Sequence, residues 1–217
     1  MKIRWLGHSA FVLTSSSGTK VLTDPYESGS YDGAVGYKHI TEAVQVVTSS
    51  HSHEDHFCLD GLPEGFECIT TPGKHDASGV SIEGIKTYHD ESKGKDRGRN
   101  IIYVIEIDGI RVGHLGDLGH DLSAEEIAAI GRVDVLLAPV GGFFTIGPRE
   151  ALGVMRALSP AITIPMHFKT DVLGFPIKPV EDFLSLAGDS ERPGATEIEI
   201  DPDAMGSGRV VVLDHEL

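Results

Sequence analysis

The stretch that most restricts this chain is Ser50-His51-Ser52-His53-Glu54-Asp55-His56, which follows directly on the β-branched run Val44-Gln45-Val46-Val47-Thr48-Ser49. Such a run reads as a buried strand, so it delivers the cluster to a strand end, where sites usually sit. Four of these residues, in the order His-x-His-x-Asp-His, are ligands for a divalent cation. Neutral imidazole and carboxylate suit zinc, iron or manganese, and the alternate spacing of His51 and His53 lets two side chains converge once the chain leaves the strand. One ion is rarely held by all four residues of so short a turn, because the adjacent pair Asp55 and His56 points elsewhere. Two neighbouring metals fit better. The competing explanation is a polar surface loop rich in histidine, and any one of the eleven histidines taken alone would be given it. Four ligand residues in this order after a buried strand are far more specific.

Three more strand-like runs end in a ligand type. Residues 85–88 end at His89, residues 110–115 run into Gly116-Asp117-Leu118-Gly119-His120, and residues 161–165 end at Met166-His167. In layered folds the ends of several strands share one rim, so distant segments can pool ligands there. Further strands are expected at 2–6, 10–13, 20–23, 67–70, 80–82, 101–107, 133–139, 196–200 and 210–213, with helices over 124–130, 148–158 and 178–187. Ser123 and Glu126 form a capping box for the first helix, and Pro148 opens the second. Residues 26–37 and 90–99 read as long loops. Strands cluster first and later segments alternate helix with strand, which suits two sheets with helices outside.

A length of 217 residues fits one domain over 1–217 with room for a sizeable core. The net charge of -15 argues against a nucleic-acid partner, which needs basic surface to displace counterions. The only dense basic run is Lys93, Lys95, Arg97 and Arg99, equally readable as a solvated loop or as a contact for a substrate anion. Cys58 and Cys68 are expected as free thiols. The N-terminal apolar stretch is broken at His8 and Ser9 and lacks a cleavage pattern, and no apolar run approaches the ~20 residues of a membrane span. A cytoplasmic location follows as the expectation.

The ordered set His51-x-His53-x-Asp55-His56, a lone His, an Asp in Gly-Asp-x-Gly and a second lone His resembles the metallo-β-lactamase superfamily. Leu6-Gly7-His8-Ser9, Leu22-Thr23-Asp24-Pro25, Leu115-Gly116-Asp117 and Ile164-Pro165-Met166-His167 bring it nearest to the branch with ascorbate-6-phosphate lactonases and phospholipase-D-type N-acyl-ethanolamine enzymes. The resemblance implies a four-layer αββα sandwich. It implies one metal on His51, His53 and His89, a second on Asp55, His56 and His167, and Asp117 bridging, the ions being zinc or else manganese or iron. A hydroxide between the metals would then attack an ester, lactone, amide or phosphoester of a small molecule. The resemblance also allows a homo-oligomer.

His75 competes with His89 for the third histidine position; His89 is favoured because it directly ends a strand. Asp24 is expected to orient a ligand histidine rather than bind metal. Besides Asp55, the candidates for catalytic roles are His120, as an acid for the leaving group, and His8, at the pocket border as a donor to substrate. His114, inside a strand, reads as structural. Tyr88, Arg97 and Arg99 are candidates for an anionic substrate group. Two other functions compete with hydrolysis of a small molecule: a non-catalytic metal-binding or ligand-sensing module, and a nuclease or di-iron redox enzyme on the same scaffold. The acidic charge and the absence of added RNA-binding or flavin domains weigh against the latter pair.

Overall fold

Alternating apolar residues at the start of the chain form an antiparallel meander of β1 (Lys2–Gly7), β2 (Ala10–Thr14) and β3 (Lys20–Thr23). The structure, a computed structural model, describes residues 1–217. A long segment with the single turn α1 (Ser30–Gly33) leads to the parallel strands β4 (Val46–Thr48) and β5 (Glu67–Ile69). The chain then crosses to a second sheet through β6 (Gly73–Ala77), β7 (Val80–Tyr88), β8 (Arg99–Ile107) and β9 (Ile110–His114). It continues as α2 (Ala124–Ile130), β10 (Val135–Pro139), α3 (Pro148–Leu158), β11 (Ile162–Met166) and α4 (Val180–Ala187). The short strand β12 (Glu197–Glu199) returns to the first sheet and β13 (Arg209–Val210) closes the second. The sheet orders are β12-β1-β2-β3-β4-β5 and β13-β11-β10-β9-β8-β7-β6.

Period-two alternation decides what each face buries. Ile3, Trp5, Phe11, Leu13, Val21 and Val46 of the first sheet point into the main core shared with the second sheet. Leu6, Ala10, Val12, Leu22 and Val47 point the other way into a smaller cluster with Tyr26, Tyr37, Ile40 and Phe175. The αββα sandwich therefore has unequal outer layers. Helices flank the second sheet, with α3 packed on β10 and on α4. The layer over the first sheet is mostly loop, drawn from the segments before β4 and after β11. No helix is long and apolar enough to cross a membrane.

Three elements differ from the expectation. The polar edge strand β6 has no apolar signature, and it forms because it pairs with β7 along Gly73↔Gly84 to Ala77↔Val80. Glu83-Gly84 does not split β7; Gly84 sits inside the strand because a Cβ there would meet the Pro72 backbone at 2.9 Å. The last helix starts at Val180, with Pro179 as its N-cap in extended conformation. The capping box of Ser123 and Glu126 forms as read.

His114 is structural. Its Nε2 donates to the Ser9 carbonyl at 2.9 Å, tying the second sheet to the first, and its Nδ1 accepts from the Gly116 amide at 3.2 Å. Burial pushes its pKa below 6.5, with Asp24 only partly opposing. Because the folded value is depressed, its stabilisation is present above the unfolded pKa and is lost as pH falls below about 6.5. His114→Asn removes this titration. The melting temperature of the wild type is expected to fall more steeply than the variant's between about pH 7.5 and about pH 5.5. Parallel curves would contradict the assignment.

Candidate metal centre

The rim is built from strand ends that turn through left-handed backbone at residues other than glycine. His8 after β1, Asp24 after β3 and His167 after β11 have φ of 50°, 40° and 49°. Such conformations cost about 1–3 kcal/mol each and persist where surrounding contacts over-determine them. Here the contacts are specific. The His167 amide donates to the His8 carbonyl at 3.2 Å and the Gly141 amide to the His167 carbonyl at 3.1 Å, locking one sheet to the other beside the imidazoles. After β9, Gly116 (φ 54°) turns the chain, and the Asp117 amide donates to Asn100 Oδ1 at 2.9 Å. Gly119 is pressed against His89, whose carbonyl a Cβ would strike.

Two separate groups of candidate ligand atoms result, each within 4.8 Å internally: His51, His53 and His89 in one, and Asp55, His56 and His167 with His8 in the other; a third, of His51, His56 and Asp117, joins them. Asp117 lies between them. Its Oδ2 is 3.1 Å from His89 Nε2 and 3.9 Å from His51 Nε2, while its Oδ1 is 3.0 Å from His56 Nε2 and 3.4 Å from His167 Nε2. His51 Nε2 and His53 Nδ1 are 2.9 Å apart.

Partners outside the groups determine which ring nitrogens face inward. Asp24 accepts from the Ser50 amide (2.8 Å), the Ser50 hydroxyl (2.6 Å) and His56 Nδ1 (2.8 Å), so the His56 Nε2 lone pair points into the rim. With its hydrogen committed to Asp24, Ser50 Oγ accepts from His51 Nδ1 at 2.9 Å, which frees His51 Nε2 in the same way. Asp24 thus orients a histidine rather than joining the ligand groups. Burial pushes its carboxyl up, His114 and His56 pull it down by more, and it stays ionised.

The donor set fits divalent cations on two counts. His56 Nε2, both nitrogens of His167 and Asp117 Oδ1 are buried with no hydrogen-bond partner, although protein interiors seldom leave such atoms unpaired. Asp24, Asp55 and Asp117 are all buried, yet the ion pairs formed by lysine and arginine go to other carboxylates. Three buried carboxylates without a basic side chain require positive charge from elsewhere. Burial alone would lower the His56 pKa, but Asp117 and Asp55 hold it well above 6.5. His51, with burial dominant and His56 adding to it, is pushed down to about 3.

The remaining candidates divide. His8 is fully buried and its Nε2 donates to Asp55 Oδ2 at 3.2 Å, which steadies Asp55. His120 is outside both groups: its Nε2 accepts from the Tyr88 amide and its Nδ1 donates to the Asp121 carbonyl. His75 lies on the edge strand β6, bonded to the Thr71 carbonyl, and His89 occupies the rim instead. Cys58 and Cys68 are free.

A cleft of about 310 Å³ lies over the carboxylates, lined by Tyr31, His53, Asp55, His89, Asp96, Arg97, Asp117, Phe144 and Phe175. Phe175 stacks edge-on against Tyr31 and Phe144, both at 5.4 Å, and the Arg97 guanidinium lies 5.8 Å over the Phe144 ring. The Tyr31 hydroxyl donates to Asp55 Oδ1 at 3.2 Å. Tyr31, Phe144 and Phe175 carry no motif in the sequence. Their only signal is position, Tyr31 and Phe144 lying on loops that follow a strand end.

Two sheets face to face, with two histidine groups at one rim and an aspartate between them, define the class: a metallo-β-lactamase fold with a candidate metal centre. The sequence profile of the Beta-lactamase superfamily domain matches residues 2–167. A UPF0173 metal-dependent hydrolase from Thermococcus onnurineus is 31% identical, the match covering 87% of this chain and 93% of that protein. One from Thermus thermophilus is 30% identical over 99% of this chain and 100% of its own length. A crystal structure from Thermotoga maritima, provisionally described as a Zn-dependent hydrolase of the metallo-β-lactamase superfamily, superposes with a TM-score of 0.81 at 39% identity, covering 98% of each chain. The chain belongs to the metallo-β-lactamase superfamily and is a metal-dependent hydrolase.

Proposed function

We propose that the protein hydrolyses an ester, lactone, amide or phosphoester bond in a small anionic molecule held in the cleft beside Asp55 and Asp117. In this reading His51, His53 and His89 hold one divalent cation, Asp55, His56 and His167 hold another, and Asp117 serves both; zinc is the first choice for this donor set. The observation that carries it is the placement of Asp117, one oxygen toward each group. When bound, such cations polarise the scissile group and lower the pKa of water.

The chain's own residues supply the rest. Phe144 and Phe175 wall off water on one side, and His8 and Tyr31 hold Asp55 from two directions. Burial, then Asp55, raises the Tyr31 pKa, so its phenol stays protonated and offers an O–H at the cleft wall. In this reading Tyr31, which lines the cleft as His120 does not, is the donor to the leaving group.

Arg97 is the one lysine or arginine lining the cleft of a chain with net charge -15, which argues for an anionic substrate. Its position is built by Asp90, whose carboxylate accepts from the amides of Gly94, Asp96 and Arg97 at 2.9, 3.1 and 2.8 Å. Arg97→Gln is expected to raise KM about tenfold for carboxylate- or phosphate-bearing substrates, with kcat little changed. An unaltered KM would remove Arg97 from substrate binding.

The test of the function is metal removal. Dialysis against a chelator is expected to abolish hydrolysis across a panel of esters, lactones and phosphodiesters, and zinc or manganese to restore it. Mass spectrometry under native conditions should count two ions per chain. A fully metal-loaded protein that hydrolyses nothing on the panel would favour the metal-binding or sensing module.

A further inference from the structure

A second cleft, of about 590 Å³, opens between the sheets where β5 ends, against β7 and β8. It shares no lining residue with the cleft over Asp55 and Asp117. Its lining carries the cations Lys86 and Arg99, the hydroxyls of Ser52, Thr70 and Thr71, and no aspartate or glutamate; the Ser50 hydroxyl, also in the wall, is committed to Asp24. In a chain with 33 acidic and 18 basic side chains, that selection runs against the composition.

The two cations are exposed on adjacent strands of the second sheet. The β7–β8 register pairs Lys86 with Ile101 and Tyr88 with Arg99, so Lys86 and Arg99 are diagonal neighbours on the same face. Diagonal neighbours lie about 7–8 Å apart, close enough for long side chains to converge on one ligand and for like charges to repel without one. Neither forms an ion pair; the Lys86 ammonium lies 5.9 Å over the Tyr88 ring, on the same face of the sheet. Phe57 and Ile101 add an apolar wall, and the volume exceeds what an inorganic oxyanion fills.

We propose that this inter-sheet cleft binds a phosphomonoester: the phosphate between Lys86, Arg99 and the hydroxyls of Ser52, Thr70 and Thr71, the organic part against Phe57 and Ile101. Arginine as a fork and lysine as a point charge are the usual pair for a dianionic phosphate, and hydroxyl donors complete its oxygens. The site uses no candidate metal ligand except the outer side of His51, whose Nδ1 bonds to Ser50 in the cleft wall. It stands independently of the hydrolytic reading.

The experiment is amide NMR of the metal-loaded protein titrated with phenylphosphonate, which resists hydrolysis, and separately with inorganic phosphate. Phenylphosphonate is expected to shift the amides of Ser52, Thr71, Lys86 and Arg99 to saturation. Inorganic phosphate should shift the same set more weakly. The double variant Lys86→Gln/Arg99→Gln should weaken phenylphosphonate binding at this set by about tenfold or more, its spectrum reporting that the fold is kept, whereas Arg97→Gln should not. Shifts confined to amides around Asp55 and Asp117, no saturable shift, or undiminished binding by the double variant would overturn the site. Equal affinity for the two probes would overturn the phosphomonoester assignment.

Discussion

Asp117→Ala is expected to lower kcat/KM by about a thousandfold or more, equivalent to about 4 kcal/mol of transition-state stabilisation, and to reduce bound metal below two ions per chain. The size follows from position. Asp117 is the one carboxylate within 4 Å of imidazoles from both groups, facing His89 and His51 with one oxygen and His56 and His167 with the other. Burial pushes its carboxyl up, but His167, His56 and His89 together hold it well below the usual range, so it is charged. Without it, four inward-facing imidazoles surround a space with no anion between them. Asp117→Asn keeps the shape and removes the charge, and is expected to fall between wild type and Ala in metal content. Steady-state kinetics with elemental analysis of the purified variants checks both. Full metal content with activity within about tenfold of wild type would end the bridging role.

Asp24→Ala acts from behind the centre. It strands three buried donors at once, the Ser50 amide, the Ser50 hydroxyl and His56 Nδ1, and is expected to cost about 3–5 kcal/mol of stability. Asp24→Asn separates structure from orientation. Its amide oxygen can still accept from Ser50, while its NH₂ faces His56 Nδ1 and favours the tautomer with a hydrogen on Nε2, where a lone pair is needed. The Asn variant is therefore expected to stay folded yet bind metal about 10–100-fold more weakly. Thermal unfolding and competition with a chromophoric chelator measure the two effects. Wild-type metal affinity in Asp24→Asn would show that Asp24 does not govern the His56 ring.

The reading of the sequence went furthest where chemistry is local. The run before Ser50 could only be a buried strand, and the His-x-His-x-Asp-His turn follows β4 at the rim. His89 ends β7 and His167 follows β11, because strand residues and the ligand after them are neighbours along the chain. His120 shows where that logic stops. It lies only three residues past Asp117 along the chain, but Gly119 packs on His89 and the next ring turns to Tyr88 and Asp121. The left-handed turns at His8, Asp24 and His167 had no signature either, since histidine and aspartate do not announce a positive φ as glycine does. The thin outer layer over the first sheet has no signature for a related reason: it is loop, and loops have no period to read.

By itself, then, the sequence determined the inventory: which side chains could ligate, that four of the segments carrying them stop at strand ends, and a strand and helix pattern that suits two sheets with helices outside. Those properties rest on periodicity and on residue types within a few positions of one another. Only the tertiary structure decided that Asp117 stands between two histidine groups, that Asp24 and Ser50 select the nitrogens of His56 and His51, that His8 serves Asp55, and that Arg97 overhangs the cleft. Each of these is a contact between segments far apart in the chain, and such contacts exist only once burial of the two inner faces has brought the sheets together.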